Sequence, residues 1–285
     1  MNAPILLPNR AVVRVTGEDR VNFLQGLLTN SVATVDAEHS IYAALLTPQG
    51  KILDDLFIAY SEGVLLLDVC ADHVADLVQR LTRYRLRAKV GFEDLSREFQ
   101  VLAAPGATAI AAIAMPTVAG ASRPHDRGGV VMVDPRHPAL GLRLLVPARE
   151  AVHFGFDDYE SLRISLGIGD NNVDFGTAAL LALEANLDTL NGISWTKGCY
   201  VGQEVTARSR SRALIRRRLR PVRVTGPLPA PGTPVFWDGQ EVGDVRSGRN
   251  GSALALLRTE TLATITGPLT AGDAELTPLR PIWEI

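Results

Sequence analysis

Apolar residues recur along the first hundred positions with two different periods, and the switches between them predict alternating strands and helices. Residues 11–15 form a short β-branched run, broken by Thr16 and Gly17. Val21, Leu24, Leu27 and Leu28 then share one face at helical spacing, which predicts a helix over residues 18–28. Residues 41–46 and 52–60 read as two strands of a hairpin around a turn at 47–51. Residues 64–70 read as a buried strand. Residues 72–86 read as a helix with Val74, Leu77, Val78 and Leu81 inward. Strands follow at 89–92 and 99–103, then an alanine-rich helix at 107–114. A second hairpin is predicted from 130–133 and 141–146, a helix at 157–166, and a loop rich in Gly, Asn and Asp at 167–176.

From Arg220 the pattern changes. Pro221, Pro227, Pro229, Pro231 and Pro234 punctuate short β-runs, and Asp238-Gly239 suits a tight hairpin turn. The division expected is an α+β body over residues 1–215, built of two intertwined subdomains, and an all-β domain over 216–285.

Residues 101–122 carry no charge and are long enough to cross a bilayer, but Pro105, Gly106, Pro116 and Gly120 interrupt them and alanine dominates. No membrane association is expected. The net charge of −2 gives the whole chain no electrostatic case for nucleic acid. Two cysteines, Cys70 and Cys199, are too few for a disulfide framework. Residues 1–10 lack an apolar signal core and the look of a transit peptide, so a cytoplasmic protein is expected.

Chemistry concentrates between residues 183 and 220. Gly198 and Gly202 flank Cys199 and Tyr200 and free the backbone for tight or left-handed turns, and Lys197 brings a cation two residues from the thiol. Such a thiol is either reactive or metal-contacting, or simply a small loop residue; spacing alone weighs the two evenly. No second Cys or His lies nearby, so the chain by itself is expected to hold no metal. Cys70 ends an apolar strand and belongs to the core. Arg208, Arg210, Arg212, Arg216, Arg217, Arg218 and Arg220 follow without an intervening acid. This fits a solvated face with one or two guanidiniums turned to an anionic ligand. The run has no interleaved aromatics for stacking RNA bases.

The run Lys197-Gly198-Cys199-Tyr200-Val201-Gly202-Gln203-Glu204 resembles the signature of the YgfZ family of folate-binding proteins. So do Leu183-Glu184-Ala185-Asn186-Leu187, Asn191-Gly192-Ile193-Ser194 and, near the start, Phe23-Leu24-Gln25-Gly26-Leu27-Leu28-Thr29-Asn30. That family is in turn similar to the T-protein of glycine cleavage, a tetrahydrofolate-using aminomethyltransferase. Its hairpin ending in paired aspartates has a counterpart in Gln49-Gly50-Lys51-Ile52-Leu53-Asp54-Asp55.

The resemblance implies an α+β body around a central folate cavity, with a C-terminal β-barrel. It implies a tetrahydrofolate-binding accessory factor for assembly or repair of [4Fe–4S] enzymes. The alternative it leaves is a tetrahydrofolate-dependent one-carbon transferase, of aminomethyltransferase or demethylase type, and whether the chain catalyses a reaction stays open. The implied partners are iron–sulfur assembly proteins or client [4Fe–4S] enzymes. Cys199 would be the functional thiol, helped by Lys197. Tyr200, Gln203 and Glu204 would shape the loop on the ligand side, and Asp54, Asp55 and Arg208 would line the folate site, with Asp55 nearest the reacting nitrogen. Three departures stand against a T-protein activity or the full family pattern. Arg143 occupies the place of the T-protein glutamate that holds the pterin, Cys199 that of an acidic residue, and Ala213 that of a glycine before the basic cluster.

Overall fold

The computed structural model describes residues 4–148 and 155–284. In chain order the body contains β1 (Ile5–Leu6), β2 (Arg10–Thr16), α1 (Arg20–Gln25), β3 (Ile41–Leu46), β4 (Ile52–Ser61) and β5 (Val64–Cys70). It continues with α2 (Val74–Arg85), β6 (Gly91–Asp94), β7 (Phe99–Ala104), α3 (Ala107–Ala112), β8 (Ser122–Pro124), β9 (Val130–Val133), β10 (Leu142–Pro147) and α4 (Phe156–Ser165). These strands form two five-stranded sheets, ordered β3-β4-β5-β2-β6 and β1-β7-β10-β9-β8. Every pairing within them is antiparallel.

The first sheet is covered on both faces, which explains why β3 is buried at all six positions and does not alternate. One set of alternate residues, including Val13, Leu45, Leu56 and Leu67, packs with α1 and α2 through Leu24, Leu77 and Leu81. The opposite set meets the second sheet: Val12, Ala59 and Leu66 join Val101, Met132 and Leu145 in one core. Further along that same face, Tyr42, Ala44 and Phe57 pack under the segment that carries Leu183, Leu187 and Tyr200.

Local sequence sets the element ends. The first helix stops at Gln25, short of the expected residue 28, because the chain turns at Gly26 and returns to β3. Residues 71–73 form a 3₁₀ turn, so α2 starts at Val74. The segment 167–176, expected as a loop, contains one π-helical turn, Asn171–Phe175, capped by Asp170 through the Asn172 N–H. Residues 101–122 hold β7 and the six-residue α3; among the described residues no helix is long and apolar enough to cross a membrane.

After the body come α5 (Gln203–Ser211), β11 (Arg217–Thr225), β12 (Pro234–Trp237), β13 (Gln240–Arg249), β14 (Ser252–Arg258), α6 (Thr259–Thr264), β15 (Leu269–Ala271) and β16 (Ala274–Pro278). The six strands close a barrel in the order β11-β14-β13-β12-β15-β16 around Val222, Val235, Val245, Leu257 and Leu276. Asp238 and Gly239 both take positive φ in the two-residue turn between β12 and β13, as a type I′ hairpin requires. The barrel is tied to the body by Asn186 Nδ2 donating to the Leu219 carbonyl (2.9 Å) and by Trp283 Nε1 donating to the Leu166 carbonyl (2.6 Å). The fold is thus an α+β body with a C-terminal β-barrel.

Candidate functional site

Cys199 is a free, exposed thiol on the loop leading into α5. Two devices hold that loop. Lys197 turns its Nζ away into the body, where it donates to three backbone carbonyls at the end of α1 and beyond: Gln25 (2.7 Å), Leu28 (2.6 Å) and Asn30 (2.9 Å). Burial pulls this ammonium down to about 8. Gly202 takes φ +82°, and a Cβ there would lie 2.6 Å from the Thr47 carbonyl oxygen, so only glycine lets the loop pass against the β3–β4 turn. Tyr200 is buried, its N–H donating to Gln203 Oε1 (3.3 Å). Glu204 faces solvent and meets Arg208 at 3.4 Å. The other thiol, Cys70, is buried, and burial pushes it up to about 11.

A second cluster fills the space between the two sheets. The period of two along β2, β4, β5 and β10 turns Arg10, Asp55, Phe57, Asp68 and Arg143 to the same interior. Arg10 Nη1 donates to Asp55 Oδ1 (2.7 Å) and its Nε to Asp68 Oδ1 (2.6 Å). Arg143 Nε bonds the other oxygen of Asp68, and its guanidinium lies 3.8 Å over the Phe57 ring. Arg136 closes the group, paired with Asp134 (2.9 Å) and 4.9 Å from the same ring. Tyr42 OH donates to Asp55 Oδ2 (3.2 Å). Burial would raise the Asp134 carboxyl, but the Arg136 and Arg143 guanidiniums hold it below the usual carboxylate range. Burial and the Asp55 charge push Tyr42 well above an ordinary phenol. Asp54, next in sequence to Asp55, points to the other face of the strand and pairs with His73 Nδ1 at 2.7 Å.

Relatives of known role place the chain in a family. It is 35% identical over 292 residues to the iron-sulfur cluster assembly factor IBA57, mitochondrial, of Homo sapiens, an alignment covering 92% of this chain and 78% of that one. It is 34% identical over 311 residues to the Mus musculus protein of the same name, covering 97% and 84%. The chain belongs to the IBA57 family of iron–sulfur cluster assembly factors. An IBA57 homologue of Mycosarcoma maydis is 34% identical over 236 residues; the match takes in 76% of this chain and just over half (56%) of that longer protein. The GCVT N-terminal domain model matches residues 9–122, and the CAF17 C-terminal beta-barrel domain model matches 216–284. The fold is that of the glycine cleavage system aminomethyltransferase T of Bartonella henselae, with a TM-score of 0.78 at 17% identity over 99% of this chain and 86% of that one.

Two expectations change with these matches. The motif pointed to YgfZ; the relatives are named IBA57, within the same T-protein-like family. The cytoplasmic expectation is overturned, because these IBA57 relatives are named as mitochondrial proteins.

The pterin site implied by likeness to the T-protein does not fit the residues present. Asp55, Phe57 and Asp68 offer no surface even to a water molecule, and Arg10, Arg136 and Arg143 are almost as deeply buried. Both Asp55 oxygens are engaged by Arg10 and Tyr42, and Arg143 covers the aromatic face. A pterin beside Asp55 would have to displace paired guanidiniums from the interior of the IBA57-like body. A groove of about 1050 Å³ does open elsewhere, lined by Ile5, Ala109, Ile113, Arg123, Val131 and Leu142; none of the predicted site residues lies in it.

The predicted residues therefore fall into separate places. Lys197, Cys199, Tyr200, Gln203, Glu204 and Arg208 share one loop and helix. Asp55 lies inside the body and Asp54 on the far side of its strand. A hydrogen-bonded chain joins the first place to Asp55: Lys197 Nζ to the Asn30 carbonyl, Asn30 Nδ2 to the Tyr42 carbonyl (2.8 Å), and Tyr42 OH to Asp55. Arg10, Asp68, Asp134, Arg136 and Tyr42 were missed by sequence reasoning. Arg10 and Asp68 carried a signal, charge at interior-facing positions of otherwise apolar strands, whereas Asp134 and Arg136 sit in the turn after β9 and Tyr42 reads as an ordinary apolar strand residue.

Proposed function

We propose that this chain is an accessory factor in the assembly or repair of iron–sulfur enzymes, acting through the Cys199 thiol. The observation that carries the reading is an exposed, unpaired cysteine on a loop pinned to the body by the three carbonyl bonds of Lys197. The naming of the human and mouse relatives as assembly factors supports it. One thiolate is too few ligands for a cluster, so the remaining ligands come from a partner, an assembly protein or a client [4Fe–4S] enzyme. Lys197 is a positioning residue in this reading, since its ammonium is bonded to carbonyls. Tetrahydrofolate has no step in it, because the charged interior around Asp55 is filled by the chain's own side chains.

The test is genetic complementation. A deletion strain receives the wild-type gene or Cys199→Ser, and extracts are assayed for a [4Fe–4S] dehydratase and for a cluster-free enzyme. The dehydratase alone should fall in the deletion and stay low with the serine variant. Full rescue by Cys199→Ser would remove the thiol from the mechanism.

A further inference from the structure

The arginine run of residues 208–220 splits in the fold. Arg217, Arg218 and Arg220 pair with Glu184 (3.1 Å), Asp188 (2.8 Å) and Glu284 (2.7 Å), which ties the barrel to its surroundings. Arg208, Arg210 and Arg212 instead stand exposed on α5 and just after it. Among the described residues their one ion pair is the solvent-exposed contact of Arg208 with Glu204. Arg210 lies 4.1 Å over the ring of Trp195, a tryptophan that is itself exposed. The stack fixes the direction of a guanidinium without neutralising its charge. Leu214, two residues beyond Arg212, is 52% exposed. Trp195 is four residues from Cys199, so at most about 14 Å of chain separates them.

We propose that this face, Trp195 with Arg208, Arg210 and Arg212 beside Cys199, is the docking surface for an acidic protein that exchanges an iron–sulfur cluster at that thiol. The inference rests on the reading of Cys199 given above. Tryptophan and arginine are the residues that most often carry binding energy at protein interfaces, and here they sit preassembled next to a thiol that needs ligands from another molecule. Arg210 and Arg212, without an ion pair among the described residues, and Arg210 with its direction fixed by the stack, select carboxylates on that molecule and speed the encounter. A nucleic acid would be served poorly, since Trp195 offers one stacking platform where single strands use several, and the chain as a whole is acidic.

The deletion strain again provides the assay, with each gene under graded expression. The variants are Trp195→Ala, Arg210→Glu/Arg212→Glu and Arg210→Lys/Arg212→Lys. Each purified protein is checked for its melting temperature and for the rate at which iodoacetamide alkylates Cys199, and both should match wild type. The alanine and charge-reversed variants should need about tenfold or more expression to restore the dehydratase, while the lysine variant stays within a few-fold of wild type. Restoration by the alanine and charge-reversed variants at wild-type expression would overturn the docking surface and leave the role of Cys199 intact. Rescue by Cys199→Ser would instead sink the underlying reading. Tight binding of a fluorescein-labelled 20-nucleotide oligouridylate, lost in the charge-reversed variant, would overturn the assignment to a protein partner.

Discussion

Arg143→Met tests whether the interior is a self-filled charge network. The substitution keeps most of the side-chain length and removes the bond to Asp68, the 3.3 Å contact with Tyr159 OH, the 3.7 Å contact with Asp134 and the cation over Phe57. Arg10 still bonds Asp68, and Arg136 still bonds Asp134. Three arginines (Arg10, Arg136, Arg143) face three aspartates (Asp55, Asp68, Asp134) in the intact cluster, so the variant leaves one buried carboxylate uncompensated. Asp170, whose charge also acts on Arg10, adds to the negative excess. Removing one partner of a buried pair costs about 3–5 kcal/mol. Methionine fills much of the volume, which keeps the cavity contribution small. At roughly 2–4 °C per kcal/mol for a chain of this size, melting should fall by about 6–20 °C. Adding Asp68→Asn rebalances the charge, and roughly half the loss should return. Urea unfolding followed by circular dichroism measures the free energies, and thermal melts the temperatures. Arg143→Glu, the T-protein-like residue, places a fourth acid in the cluster and should not yield a folded protein. A folded Arg143→Glu with wild-type stability, or a wild-type protein whose melting temperature rises with tetrahydrofolate, would refute the filled-interior argument.

Lys197→Met strands the carbonyls of Gln25, Leu28 and Asn30, and should lower stability by about 2–4 kcal/mol, read by urea titration. Alkylation of Cys199 at pH 7.5 should change less than twofold if Lys197 acts by position alone; a much slower reaction would restore it as a partner of the thiol. His73 is raised from its ordinary value, first by its hydrogen bond to Asp54 and then, against the opposing effect of burial, by the charges of Asp54, Asp72 and Asp55. A raised histidine stabilises fully below its ordinary value of 6.5 and loses that contribution as pH climbs through the raised one. Wild type should therefore exceed His73→Gln by up to about 1 kcal/mol near pH 5.5–6 and match it by pH 9, the small size reflecting solvent access to His73, which is 25% exposed beside a buried Asp54. A difference that grows with pH in thermal melts would show the sign to be wrong.

Most of the architecture was legible because it is written in local periodicity. The β3–β4 hairpin, β5, β7, β9 with β10, and α4 appear within a residue or two of where the pattern puts them, and Asp238-Gly239 marks its turn. The Cys199 loop was legible for a different reason: closely spaced glycines, a thiol and a lysine are rare together, and their composition survives without knowledge of contacts. What the sequence could not supply was direction. Lys197 stands two residues from Cys199 in the chain, yet its ammonium is held by carbonyls 167–172 residues earlier. Asp54 and Asp55 are neighbours, yet the pleat sends one to His73 and the other to Arg10. Seven arginines in one stretch of chain divide into barrel ties and an exposed face only once Glu184, Asp188 and Glu284 are folded against three of them. Electrostatic pairing acts over a few ångströms in space and takes no account of separation along the chain, so the tertiary structure alone decided which charges are satisfied and which remain free.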